Sequence, residues 1–150
     1  MLTKQLAVSV LEGREPVRLL GGAVYLVLVR NSGAAFSLGR SHTLIFPLFT
    51  LGAVIWIGWM AARLRSVPWG IGLGLVLGGA LGNLGDRVFR APGPFVGHVV
   101  DFVSLFSDDG HIWPVFNLAD SSLFVGLGLA LLLEMTGRRR DGTRVRARRT

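Results

Sequence analysis

Of the nine carboxylates in this 150-residue chain, three sit in apolar surroundings. Glu12, Glu15, Asp108, Asp109 and Asp141 lie in polar, loop-like stretches, and Glu134 falls at the end of an apolar run where solvation is easy. Asp86, Asp101 and Asp120 remain. A charged side chain inside an apolar span is costly, and so is a functional candidate by default. Asp101 is flanked by Val99, Val100, Phe102 and Val103, a setting that raises a carboxyl pKa by desolvation. Asn117 precedes Asp120 by three residues and so shares its helical face. Two such carboxyls brought close together cannot both ionise easily and share a proton. One acid and one base at the same pH is what water-mediated peptide hydrolysis requires. The alternative is structural, with Asp101 capping a helix and Asp120 bonding two helices together; spacing alone does not choose. Asp86 and Arg87, an adjacent acid and base at a helix end, read as support for an outer loop. Arg87 is also able to meet a phospholipid or a substrate carbonyl.

Other chemistries have less behind them. His42, His98 and His111 are isolated, without H-E-x-x-H or comparable ligand spacing, which argues against zinc. Ser37, Ser104, Ser121 and Ser122 lack a G-x-S-x-G elbow or an S-x-x-K pair. Cysteine is absent, which removes disulfides, thiol catalysis and thiolate metal sites and leaves the redox compartment open.

The elements that must position the carboxylates are membrane helices. The chain is 51% hydrophobic, only 17% charged and has a mean hydropathy of +0.54. A soluble domain this apolar would expose large greasy patches. A span takes roughly 20 apolar residues, and three segments qualify, at 43–65, 67–89 and 113–136. The third contains Asp120, about two turns in if its helix begins near Trp113. Arg63 and Arg65 lie at the end of the first span, where its apolar run stops at Ala62, next to the short connection to the second. Seven of the sixteen basic residues lie in the tail 137–150: Arg138, Arg139, Arg140, Arg144, Arg146, Arg148 and Arg149. Both clusters assign their loops to the cytoplasm and agree on one orientation, which leaves residues 86–112 and the segment before Thr43 outside. Arg14, Arg18, Arg30 and Arg40 run against the positive-inside bias there. The net charge of +7 also admits a nucleic-acid arm, but no aromatic or groove-reading pattern accompanies it. The tail is dense enough in arginine to meet anionic lipid.

Gly70, Gly74, Gly78 and Gly82 repeat every four residues in the second span, a small-residue face for close helix packing in lipid that leads on to Asp86. Its G-x-G pieces lack the strand-turn-helix context of a dinucleotide loop. Ala23 to Val29 reads as a short strand or hairpin after Gly21-Gly22, followed by Asn31-Ser32-Gly33 turn chemistry. Residues 10–42 are expected to form a β platform at the outer surface. Val99 to Phe106 reads as a short interfacial helix or strand. The expected fold class is a membrane all-α helical bundle, here with three spans and a small extracytoplasmic β-sheet.

Four local sequences, in order, resemble the bacterial lipoprotein signal peptidases (signal peptidase II). They are Asn31 to Ser37 (NSGAAFS), Gly78 to Arg87 (GGALGNLGDR), Val100-Asp101-Phe102 (VDF) and Phe116 to Asp120 (FNLAD). The resemblance implies a multi-pass aspartic endopeptidase of the bacterial cytoplasmic (inner) membrane, with its active site at the outer face and no metal or organic cofactor. It would act, as a monomer, on diacylglyceryl-modified prolipoproteins in contact with membrane phospholipid and without nucleic acid, cleaving before the lipidated cysteine. The catalytic dyad would be Asp101 and Asp120. Asn31, Asn83, Asp86, Arg87 and Asn117 would serve as supporting or substrate-binding residues, and the cyclic peptide globomycin as an inhibitor. Family members have four spans, the first ending in D-Q-x-[ST]-K, of which Leu2-Thr3-Lys4 matches only the end; a missing N-terminal helix is therefore expected. The rival readings are a membrane scaffold or small transporter subunit with the aspartates as helix-helix glue, and an interfacial lipid-binding protein that uses Arg87 and the outer arginines.

Overall fold

A computed structural model of the chain describes residues 1–33 and 44–144. Along them run α1 (Leu2–Leu11), β1 (Val17–Leu19), a 3-10 turn (Leu20–Gly22), β2 (Val24–Asn31), α2 (Ile45–Ala61), α3 (Val67–Phe89), β3 (Val99–Leu105) and α4 (Leu118–Met135). Ala34 to Ser37 of the NSGAAFS motif, the remainder of the expected platform with Arg40 and His42, and Arg146, Arg148 and Arg149 lie outside the described residues.

The two helices long and apolar enough to cross a membrane are α3, with 23 residues, and α4, with 18. α2 is equally apolar in character but has 17 residues. Pro68 at the first turn of α3 suits a position whose N–H has no intrahelical partner. α3 and α4 pack over most of their lengths, and α2 packs on α3. Ile57, Trp69, Leu73, Val76 and Leu133 form the buried core between them.

Of the four-residue repeat, only Gly82 takes part in the α3–α4 approach, where a Cβ would stand 3.1 Å from Ala119 Cβ. A Cβ on Gly70, Gly74 or Gly78 would meet nothing within 4 Å, whereas one on Gly79 would stand 2.4 Å from the Ala119 carbonyl oxygen. On α4, a Cβ at Gly126 would stand 2.7 Å from the Gly72 carbonyl oxygen. Periodicity identifies a small face; it does not say which partner uses it. At the far end of the repeat, the Gly82 carbonyl and the Asp86 carboxylate also meet Lys4 of α1.

The strands form one antiparallel sheet in the order β1-β2-β3. Residues 99–105 therefore resolve as a strand. The β2–β3 register sets Val29 opposite Asp101 and Asn31 opposite Val99, after an irregularity between Leu26 and Val29. The outer arginines find local partners: Arg18 donates to the Gly21 carbonyl at 2.7 Å, and Arg30 pairs with Glu12 at 2.5 Å.

Two boundaries differ from the sequence reading. α1 occupies residues where no helix was expected, and it buries Lys4, Ala7 and Leu11, an i, i+3, i+7 stripe on one helical face. The third expected span, 113–136, begins its helix only at Leu118. Phe116 instead exchanges backbone hydrogen bonds with Val103 at 2.8 and 2.9 Å. It thus extends the sheet rather than the helix, and Asp120 falls in the first turn of α4, not two turns in.

Candidate active site

The bridge between Phe116 and Val103 decides the geometry of the site. Because Phe116 is held against β3, Asn117 must follow beside Asp101 and start α4 there. Asn117 is fully buried and is the N-cap of α4. Its Oδ1 accepts from the backbone N–H groups of Ala119 at 2.7 Å and Asp120 at 3.2 Å. The Asp120 carboxylate accepts in return from the Asn117 N–H at 3.0 Å, which completes a capping box.

The same asparagine reaches the other carboxyl. Its Nδ2 donates to Asp101 Oδ1 at 2.6 Å. Asn31 supplies the second donor to Asp101, at 3.0 Å onto Oδ2. This contact follows from the register, since Asn31 lies two residues beyond Val29 and so on the same sheet face as Asp101. Asn83 of α3 donates to Asp120 Oδ1 at 2.7 Å. Among the described residues, each of the four carboxyl oxygens thus accepts an N–H. Donors of this kind offset the repulsion between two neighbouring carboxyls and let the pair carry negative charge.

Asp101 is 2% exposed. Burial pushes its carboxyl above the ordinary range; the hydrogen bonds from Asn117 and Asn31 pull it back, the Asp120 charge adds to the rise, and the Lys4 charge opposes it. Asp120 is half-buried. Both aspartates line one cavity of about 570 Å³ that opens between the sheet, α3 and the start of α4. Asn31, Asn83 and Arg87 also line it, together with the apolar side chains of Leu84, Phe116 and Leu123. Among the described residues, no group of three His, Cys, Asp or Glu side chains is arranged to hold a metal ion.

Asp86 and Arg87 do not pair with each other. Asp86 is fully buried and binds Lys4 and Arg90, each at 2.6 Å, and accepts from the Val100 N–H at 3.0 Å. It ties α1, α3 and β3 together one strand residue away from Asp101. Arg87 turns the other way and donates to the Ser32 carbonyl at 3.0 Å, holding the turn after β2. Gly97 closes this end of α3. A Cβ there would stand 2.5 Å from the Asp86 carbonyl oxygen, so only glycine can bring its N–H onto the Arg87 carbonyl at 3.0 Å.

Lys4 is the residue whose role was not read from the sequence. Only 2% exposed, its ammonium bridges Asp86 and Asn83 Oδ1, the latter at 2.7 Å. A lysine in the apolar LTKQLAV run was the available signal. The Asp86–Arg90 pair was readable from its i, i+4 spacing. Of the residues singled out beforehand, Asp101, Asp120, Asn31, Asn83, Asn117 and Arg87 converge on or beside the cavity, and Asp86 stands behind it. The structural reading of Asp120 is also realised in part, since it joins a cap and bonds α3 to α4. Asp101 caps no helix; it sits in mid-strand.

Comparison with known proteins bears on the choice. The sequence model of the signal peptidase (SPase) II family matches residues 1–136. The lipoprotein signal peptidase of Mycobacterium avium (strain 104) is 50% identical over 91% of this chain and 72% of its own length. That of Rhodococcus jostii (strain RHA1) is 52% identical over 96% of this chain and 70% of its own. A solved bacterial membrane enzyme, its structure obtained by the in meso method at 1.9 Å, superposes with a TM-score of 0.75 at 26% identity, covering 89% of this chain and 83% of that one. A second such structure, at 2.3 Å, gives a TM-score of 0.70 at the same identity. The fold is therefore that of a membrane enzyme, built from apolar helices and a small antiparallel sheet. With the match running through α4 and half of all positions shared with named relatives, the chain belongs to the signal peptidase II family, which are aspartic peptidases.

Proposed function

We propose that Asp101 and Asp120 are the catalytic dyad with which this peptidase removes signal peptides from prolipoproteins. The observation that carries the assignment is Asn117, which hydrogen-bonds Asp101 through its side chain and Asp120 through its backbone. One residue thereby sets both carboxyls over a shared cavity. The ionised member draws a proton from a water whose oxygen attacks the scissile carbonyl carbon. The protonated member donates to the carbonyl oxygen, and the proton held by the base passes to the leaving amine as the C–N bond breaks.

The substrate class is the diacylglyceryl-modified prolipoprotein, cut before its lipidated cysteine, with the acyl chains lying in lipid against α3 and α4. The sheet serves as platform for the peptide. Asn31 Nδ2 has a second N–H beyond the one given to Asp101, and Arg87 lines the same cavity; both are suited to peptide carbonyls. Asn83 and Asn117 orient the dyad, and Asp86 anchors the elements behind it. In the cytoplasmic membrane the protein acts as a monomer, with α2 as a third span and the dyad outward. The inward assignment of the arginine-rich end is supported by the Arg65 N–H bonding the Arg140 carbonyl at 3.0 Å, which brings the two basic clusters into one place.

The test is cleavage of a diacylglyceryl-prolipoprotein by purified protein in lipid. Asp101→Asn and Asp120→Asn are each expected to abolish turnover while the fold persists, and globomycin to block the wild type. Full activity in either folded variant would remove that residue from the dyad.

A further inference from the structure

A second concentration of polar groups lies at the opposite end of the bundle. α3 rises about 25 Å from Trp69 to Asp86 at ~1.5 Å per residue, so nothing at the Trp69 end belongs to the dyad. There the chain after α4 folds back as a short hairpin, with Arg138 bridging Arg144 and the Arg139 N–H bonding the Thr143 carbonyl at 2.8 Å. Backbone groups dock it: Arg138 accepts from Trp69 Nε1 at 2.8 Å, and Arg140 accepts from the Arg65 N–H. The tail thus starts as a fixed structure. It borders an open cavity of about 620 Å³ lined by Arg63, Arg138, Arg139, Arg140, Glu134 and Asp141.

Among the described residues, none of these four arginines forms an ion pair. Arg63 lies over the Trp59 ring at 4.8 Å and Arg140 over Trp69 at 5.0 Å, which orients both guanidinium groups. Asp141 Oδ1 is committed to the turn through the Thr143 N–H and hydroxyl. Arginine outnumbers the two carboxylates, so the cavity is anionophilic, and the planar fork of arginine matches phosphate oxygens. Exposed apolar side chains stand at the same ends of α2 and α4, Trp59 at 58%, Leu132 at 56% and Met135 at 78%. Such a belt, with tryptophan at its edge, sits at the hydrocarbon boundary, where the phosphates within reach are those of lipid.

We infer that the hairpin cavity is a binding site for the phosphate of an anionic phospholipid headgroup, which pins this end of the bundle to its leaflet. It rests on the reading of α3 and α4 as membrane spans. The measurement is native mass spectrometry of the full chain released from nanodiscs of mixed phosphatidylglycerol and phosphatidylcholine. The wild type is expected to retain phosphatidylglycerol preferentially. Arg138→Gln combined with Arg139→Gln keeps the docking backbone bonds and is expected to lower that preference about 25-fold, fivefold for each arginine near an anionic surface. Arg148→Gln with Arg149→Gln removes equal charge from the tail beyond the hairpin and is expected to change it less than about twofold. Equal losses in the two double variants, or no preference in the wild type, would overturn the site. Displacement of the lipid by millimolar inorganic phosphate would also overturn it, in favour of a free-anion site. A chain that does not enter nanodiscs sinks the membrane reading and this inference together; one that enters without preference sinks this inference alone.

Discussion

Lys4 Nζ donates to Asn83 Oδ1 at 2.7 Å, and this contact, with a longer one from Asn117 Nδ2 at 3.3 Å, sets which end of the Asn83 amide faces Asp120. With its oxygen held by the ammonium, the amide can present only Nδ2 to the carboxylate, which it does at 2.7 Å. A lysine that does not touch Asp120 thus shares in orienting one of its carboxylate oxygens. The same ammonium neutralises the buried Asp86.

Lys4→Met is therefore expected to act on two observables. Breaking a buried ion pair by removing one partner costs about 3–5 kcal/mol, offset in part by Arg90, which still pairs with Asp86. The melting temperature should fall accordingly. Turnover should drop on the order of 100-fold through misorientation at the dyad, in kcat rather than KM. Adding Asp86→Asn removes the buried carboxylate charge that Arg90 alone would have to offset, and should recover part of the stability. If turnover recovers with it, Lys4 acts only on the fold and the orienting role is wrong.

Asn117 allows its two duties to be separated. Serine is as good an N-cap as asparagine but has no amide to reach Asp101. Asn117→Ser should keep α4 within about 1 kcal/mol of wild type in thermal unfolding and still lose most turnover. Asn117→Ala forfeits the cap as well, a further ~1 kcal/mol. A serine variant with wild-type turnover would show that the Asn117–Asp101 bond is dispensable.

Asp101 has a consequence in pH. Its folded-state carboxyl lies above the ordinary value, chiefly by burial. The stability that protonation contributes is then full below the unfolded pKa of about 3.9, and it is lost as pH rises through the higher folded value. Asp101→Asn should flatten that dependence and be the more stable protein on the alkaline side. In Asp120→Asn, one raising charge is gone, so carboxyl-resolved infrared or NMR titration should find Asp101 lower than in the wild type, yet still above the ordinary range because burial remains. An unchanged Asp101 titration in Asp120→Asn would mean that the two carboxyls are not coupled.

What could be read beforehand follows from the range of each interaction. Asp101 and Asp120 are legible because a carboxyl among valines and leucines is costly wherever the chain goes, and Asn117 because it lies one helical turn from Asp120. Lys4 is not legible in that way, since its partner Asp86 is 82 residues distant, and only the packing of α1 on the rest brings them together. The start of α4 was misplaced for a related reason: Trp113 to Phe116 is apolar enough for a helix, but Phe116 pairs with Val103 of a strand. The glycine repeat is a true helical face, although α4 packs mainly on Gly72 and Gly79 and meets the repeat only at Gly82. Local periodicity reveals faces and costs, and tertiary pairing assigns them partners.

That assignment is itself testable with two adjacent glycines. A methyl group at Gly78 would meet nothing within 4 Å, whereas at Gly79 it would press on the Ala119 carbonyl oxygen and stand 2.7 Å from Leu123 Cγ. Ala119 lies between Asn117 and Asp120 in the first turn of α4, so any retreat of α4 from α3 displaces the cap that holds Asp120. Gly78→Ala should be neutral or stabilising by up to about 1 kcal/mol, the ordinary gain of alanine over glycine in a helix. Gly79→Ala should lose about 1–3 kcal/mol by overpacking and lose turnover as well, although Gly79 touches neither aspartate. Thermal unfolding and prolipoprotein cleavage, measured on both variants in the same lipid, decide the matter. Equal behaviour of the two would mean that α3 and α4 do not meet at Gly79 as described.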